Sequence, residues 1–273
     1  MASVFHPERV GVVDASGPNL LLRGSFPLDA GKRYAYRALA DVLAPRFDLA
    51  KYHLVSLAIL DNTGEKPEML GPLARAFGVP DDQPPFSDAW PPYDHVADWN
   101  PTLRYGTTLS VTDDGTPRPG SLMWWPLEAV DASVPAADAQ WAPMLKPQWS
   151  GGDVPSFFHQ GYGLDAAVAF LRKTMATAFD TPIALYYHCS LGADRTGALT
   201  ASYLLGTGRA ATPEEAIDKA SDLTASKVRP NVNYQQLVRA YAENPAGMGG
   251  AAADRIAVPK IVGAADDAPA PAS

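Results

Sequence analysis

The sequence is poor in cysteine, in positive charge and in long apolar runs, and each shortage excludes a class of protein. One cysteine in 273 residues leaves no disulfide framework within the chain and no zinc site built on two or more cysteines. Lys and Arg number 22 against 30 Asp and Glu, a formal net charge of −8, and the cations nowhere cluster. Such an acidic chain is a poor partner for nucleic acid or an anionic membrane surface. No apolar run approaches the roughly 18 residues that a bilayer span needs. The first residues, Met1 to Asp14, lack the basic stretch and apolar run of a secretory signal. The expected location is therefore the cytoplasm, with export by a route that leaves no such signal still open. No internal repeat is present.

What the sequence does have is apolar material and proline. Hydrophobic residues make up 47% of the chain, enough for a sizeable core and against global disorder. The 26 prolines are roughly twice ordinary usage, and each removes a backbone donor and fixes φ, so ordered loops are expected. The length allows one larger α/β domain or two smaller ones.

The elements expected from pattern follow. Asn19 to Leu28 reads as a short strand running into a loop, Gly31 to Ala44 as a helix, and the continuous apolar run His53 to Leu60 as a buried strand before the turn at Asp61–Gly64. Pro67 to Phe77 suggests a short helix. Residues 78–101 then carry six prolines and two tryptophans, which regular structure does not tolerate for long. Tyr105 to Thr112 and Ser121 to Leu127 read as two strands around the turn Asp113-Asp114-Gly115. Residues 65–150 as a whole are expected to be an insertion or cap.

The last third is clearer. Asp165 to Phe179 is an amphipathic helix, Pro182 to His188 an apolar strand and Arg195 to Leu205 a helix. Thr212-Pro213-Glu214-Glu215 forms a capping box that opens a helix through Leu223, and Asn233 to Glu243 reads as one more. From Asn244 the chain turns to Ala, Gly, Pro and Asp, so 244–273 is expected to be a disordered tail. The expected division is one catalytic domain over 1–243 followed by that tail.

The stretch that carries chemistry is Tyr187-His188-Cys189-Ser190-Leu191-Gly192-Ala193-Asp194-Arg195-Thr196-Gly197. It matches H-C-x-x-G-x-x-R-[S/T]-G between an apolar strand and a helix, and its chance occurrence in one chain is below about one in 10⁵. A loop leading into a helix points backbone N–H groups inward, and the helix N-terminus adds positive potential, so a phosphate dianion is held there. Gly192 lets the backbone turn tightly. Arg195 grips two phosphate oxygens with its planar fork. The same dipoles favour thiolate over thiol at Cys189, and a thiolate attacking phosphorus splits hydrolysis into two easier steps.

This stretch resembles the signature loop of the cysteine-dependent protein tyrosine and dual-specificity phosphatases, in a bacterial-type form. The resemblance covers roughly residues 10 to 60 and 149 to 243. It implies an α/β fold with a central mixed sheet flanked by helices, interrupted here by the proline-rich insertion. It implies His188, Ser190, Leu191, Gly192, Ala193, Asp194 and Arg195 as the substrate-binding loop, with His188 tuning the thiolate. Thr196 stands where the family's hydroxyl helps the thiolate leave. No cofactor and no metal is implied.

A general acid must protonate the leaving oxygen. In the family an aspartate on a W-P-D-x-x-x-P loop does so, and Trp149-Ser150-Gly151-Gly152-Asp153-Val154-Pro155 looks similar, which nominates Asp153. The register departs from the pattern: counting from Trp149 puts Gly151 where the acid belongs. Asp194 competes, because some bacterial and lipid-directed relatives carry G-K-D-R-T-G and the loop aspartate donates the proton there. Asp194 has an alternative structural role as a helix cap. Ala193 replaces the lysine of the phosphoinositide-acting relatives, which argues against a highly phosphorylated inositol lipid.

Two weaker resemblances point the same way. Asn19 to Ser25 is similar to the opening of bacterial tyrosine phosphatases, with Arg23 expected to organise the sheet. Val228 to Leu237 looks like a segment of dual-specificity enzymes, and in tyrosine-specific relatives a glutamine near Gln235 and Gln236 positions the hydrolytic water; exposed helix glutamines are the plainer reading. His6, His53, His95 and His159 have no metal-ligand spacing. The expected activity is phosphomonoester hydrolysis through a cysteinyl-phosphate, with phosphotyrosine protein as partner and substrate. A lipid or small-molecule phosphatase, or a weakly active phosphate-binding module, are the alternatives.

Overall fold

The computed structural model describes residues 4–60, 69–79, 108–125, 127 and 164–243. The apolar runs form a six-stranded sheet: β1 (Gly11–Asp14), β2 (Leu20–Gly24), β3 (His53–Ala58), β4 (Thr108–Leu109), β5 (Arg118–Trp124) and β6 (Ile183–His188), in the order β1-β2-β6-β3-β5-β4. The middle four strands run parallel, while β1 and β4 close the edges antiparallel. This is the mixed sheet flanked by helices that the sequence implies.

Continuous apolar strands need cover on both faces, and alternation along β6 shows how it is given. Ile183, Leu185 and Tyr187 join one core with the helices α3 (Leu164–Ala176), α4 (Asp194–Gly206), α5 (Pro213–Asp222) and α6 (Val232–Ala242). Ala184 and Tyr186 point the other way, into a second core with α1 (Tyr36–Leu43) and α2 (Gly71–Ala76). No helix among the described residues is long and apolar enough to cross a membrane.

Three expectations are revised, the first two because a distant residue decides where a helix begins or ends. The helix expected from Gly31 starts only at Tyr36. Lys32 takes a left-handed turn at φ 60°, and Asp113, from the β4–β5 turn, accepts the N–H groups of Arg37 and Ala38 at 2.8 and 3.2 Å. The helix expected to run to Phe179 stops at Ala176, where the buried Asn19 amide donates to the carbonyls of Thr174 and Thr177. Its Oδ1 also accepts the Ile183 N–H at 3.1 Å, so one side chain joins that helix end to the start of β6.

The third difference concerns the stretch 65–150. Part of it is no cap at all: β5 pairs with β3 in the middle of the sheet over Leu54↔Gly120 to Ala58↔Trp124, and α2 fills the core beneath it. The proline-rich run 80–107, the Trp149 to Ser156 stretch with Asp153, His95, His159 and the tail 244–273 lie outside the described residues. The capping box forms as read. Thr212 Oγ1 accepts from Glu215 N, and the Glu215 carboxylate accepts from Ala211 N.

Candidate active site

The strands β2, β6 and β3 stop at one level, with Gly24 and Ala58 both in register with His188. The chain leaves β6 at this carboxyl edge, the usual ligand edge of a parallel sheet, and turns through Cys189–Ala193 into α4. The loop is held by its carbonyls. Ser190 O accepts from Phe26 N at 3.1 Å, Leu191 O from the Arg9 guanidinium, and Gly192 O from Arg23 Nη2 at 2.7 Å. In a planar trans peptide, a carbonyl turned one way turns the next N–H the other way. The Gly192 N–H accordingly donates to Cys189 Sγ at 3.3 Å.

Cys189 is the chain's one cysteine and is 3% exposed. Its own N–H donates to Thr196 Oγ1 at 2.9 Å, so the first turn of α4 fixes that hydroxyl beside the cysteine. The N-cap of α4 is Ala193, which gives no side-chain cap. The leading N–H groups and the positive end of the helix are thereby left to the loop, the arrangement that attracts an oxyanion. Arg195, in the same turn, is 6% exposed and donates through Nη1 to Leu127 O at 3.3 Å.

Gly192 is required twice over. Its φ is +71°, and a Cβ there meets Gly24 C, Gly24 O and Ser25 N, each at 2.6 Å. Gly24 in turn has no room for a side chain, because the Tyr186 ring lies against it and the Tyr186 hydroxyl donates to Ser25 O at 2.7 Å. The end of β2 and the loop thus touch backbone to backbone.

His188 sits beneath the loop, fully buried, with Nε2 3.0 Å from Ser56 Oγ. Tyr186 stacks on it at 5.6 Å and Phe26 meets it edge-on at 5.9 Å. Burial pushes its pKa down to about 3, so the ring is neutral at pH 7. The unfolded chain binds a proton at this histidine below about pH 6.5 while the folded chain does not, so stability falls as pH falls. Between pH 7 and 5 wild type is expected to lose about 2 kcal/mol through this group. Urea unfolding of wild type and His188→Gln at both pH values checks this: the variant should lose most of the difference.

Asp194 is half-buried, and its Oδ1 accepts the Asn231 N–H at 2.7 Å. Asn231 itself caps α6, accepting from Asn233 N and Tyr234 N. Asp194 therefore ties the start of α4 to the start of α6. Pro230 presses on Gly197, 3.2 Å from where a Cβ would stand, and its carbonyl accepts from the Gln235 amide at 2.9 Å. Gln235 is thus engaged in holding this connection. The structure gathers His188, Cys189, Ser190, Leu191, Gly192, Ala193, Asp194, Arg195 and Thr196 in one loop and helix turn.

Sequence reasoning missed Arg9, Ser56 and Leu127. Ser56 had a signal, as the only polar residue inside the run Leu54 to Leu60. Arg9 and the Leu127 carbonyl had none. Arg23 does more than organise the sheet, since its two hydrogen bonds reach Gly192 O in the loop and Ala220 O in α5. Among the described residues no three His, Cys, Asp or Glu side chains converge.

No family model matches the sequence, and no curated protein matches it. Among solved structures, the Yvh1 phosphatase domain from Chaetomium thermophilum is similar over 88% of this chain and 98% of its own, at 13% identity and a TM-score of 0.39. The protein tyrosine phosphatase TbPTP1 of Trypanosoma brucei is similar over 90% of this chain and 76% of its own, at 14% identity and a TM-score of 0.39. The protein tyrosine phosphatase TcPTP1 of Trypanosoma cruzi is similar over 86% and 72%, at 12% identity and a TM-score of 0.32. Likenesses this distant assign neither family nor activity.

Proposed function

We propose that this chain is a phosphomonoester hydrolase working through a cysteinyl-phosphate, without a metal, and that its substrate class is phosphotyrosine protein. The observation that carries the reading is the loop at Cys189: its carbonyls are tied away, and an N–H is given to Sγ. In the first step the thiolate forms an S–P bond as the P–O ester bond breaks, and a carboxylic acid gives its proton to the leaving oxygen. In the second, water forms a P–O bond, the S–P bond breaks, and the carboxylate takes the proton from water. Arg195 holds the equatorial oxygens through both steps.

Two aspartates compete for the acid. Asp153 is nominated by its resemblance to the family's loop. Asp194 stands in the phosphate loop but has one carboxylate oxygen engaged by Asn231 N–H, which favours the tether over the acid. The substrate reading rests on the loop's rim. Leu191 is 48% exposed and Ala193 contributes no charge. An exposed leucine, with no lysine at position 193, suits an aryl phosphate better than a polyanionic headgroup.

The test is hydrolysis of p-nitrophenyl phosphate in excess chelator by wild type, Cys189→Ser, Asp153→Asn and Asp194→Asn. Expected are chelator-resistant turnover, its disappearance in Cys189→Ser, and a fall of about 10²-fold or more in Asp153→Asn. Activity that survives Cys189→Ser overturns the mechanism. Turnover unchanged in both aspartate variants removes both acids. A folded but inactive wild type that binds phosphate is a binding module.

A further inference from the structure

Arg23 reaches the loop from behind. It extends from β2 with 1% exposure, giving Nη2 to Gly192 O and Nη1 to Ala220 O, each at 2.7 Å. Its Nε is buried without a hydrogen-bond partner among the described residues. Packing does not explain it: a methionine of similar volume fills the space between β2 and α5 without desolvating a charge. Ala220 belongs to the last turn of α5, where the helix dipole is negative and a cation is stabilised. That contact anchors the guanidinium, and the remaining fork points at the loop.

The bonded carbonyl is the one that matters for an anion. Glycine leaves the Gly192–Ala193 peptide freer to turn than any other in the loop. With its carbonyl inward, that peptide would repel a phosphate oxygen; with its carbonyl outward it offers the Ala193 N–H. We propose that Arg23 is a positioning residue for phosphate capture, locking this peptide with its carbonyl outward and adding a buried positive charge behind the oxyanion. The inference rests on the loop's being a phosphate cradle. Arg9 holds the preceding peptide in the same way through Leu191 O, but from a half-buried position, so its contribution should be the smaller.

The experiment compares wild type with Arg23→Lys, Arg23→Met and Arg9→Met. It reads the Kd for inorganic phosphate by calorimetry and the rates at which iodoacetate and iodoacetamide alkylate Cys189. The chain's one cysteine makes the alkylation unambiguous. The ratio of anionic to neutral reagent reports attraction of an anion, and repeating it in low urea shows whether reaction passes through opened molecules. Arg23→Met should weaken phosphate binding about tenfold or more and lower that ratio. Arg23→Lys should recover part of both, and Arg9→Met should lose less.

Folded Arg23→Met with wild-type phosphate affinity and reagent ratio overturns the inference while leaving the proposed function standing. If Arg23→Met fails to fold, Arg23→Lys decides, and wild-type values in that variant overturn it equally. A wild type that binds no phosphate sinks the cradle and this inference together.

Discussion

Gly192→Ala should cost both stability and turnover. A Cβ at this position lies 2.6 Å from three backbone atoms of Gly24 and Ser25, and backbone has no flexible end that can swing aside. Gly24 cannot retreat, since it is paired with His188 and has Tyr186 behind it. The loop itself must therefore move, giving up the Arg23 bond to Gly192 O and the Gly192 N–H on Sγ. Added to this is the cost of an alanine at φ +71°, about 1–2 kcal/mol.

A stability loss of about 2–4 kcal/mol and a fall in kcat of about 10²-fold or more are expected. Thermal unfolding and p-nitrophenyl phosphate kinetics measure the two. Gly115→Ala is the control, because Gly115 has φ +72° with nothing within 4 Å of a Cβ. It pays only the backbone cost and should keep wild-type kcat. Wild-type kinetics in Gly192→Ala would mean that the loop backbone does not need this seat.

The second large effect is expected at Arg195. Lysine keeps the positive charge but presents a point charge where the guanidinium presents two parallel donors. At a 6% exposed position it also loses the donor that steadies the side chain on Leu127 O. Arg195→Lys should lower kcat/KM by about 10²–10³-fold, and Arg195→Met should fall further. The gap between the two variants measures charge, and the gap between arginine and lysine measures geometry. A lysine variant within a few-fold of wild type would remove the two-oxygen grip from the mechanism.

The parts of this molecule that were legible in the sequence are those specified locally. His53–Ala58 and Ile183–His188 are apolar because both faces are covered, so their runs showed without any partner in view. The motif at 188–197 showed because strand, loop, glycine and helix start are contiguous. Thr212 and Glu215 showed because a capping box is complete within a few residues. What stayed hidden is specified across the chain. Asp113 starts a helix at Tyr36, Asn19 stops one at Ala176, and the strand read at Ser121 to Leu127 lies inside the sheet between β3 and β4, not in a cap. The loop's own posture is the clearest case. Nothing near Cys189 announces that its carbonyls are held by Arg9, Arg23 and the Phe26 N–H.

Those holds span the chain. Arg9 and Leu191 are 182 residues apart, Arg23 and Gly192 are 169 apart, and Arg23 and Ala220 are 197 apart. Closing such distances is entropically slow, and contacts of this order form after the local helices have had time to appear. The loop at Cys189 therefore takes its native posture only at the end of folding, when the first strands meet the last third of the chain. Under the proposed function, phosphate meets a completed loop only in the native protein and is expected to stabilise that state by mass action.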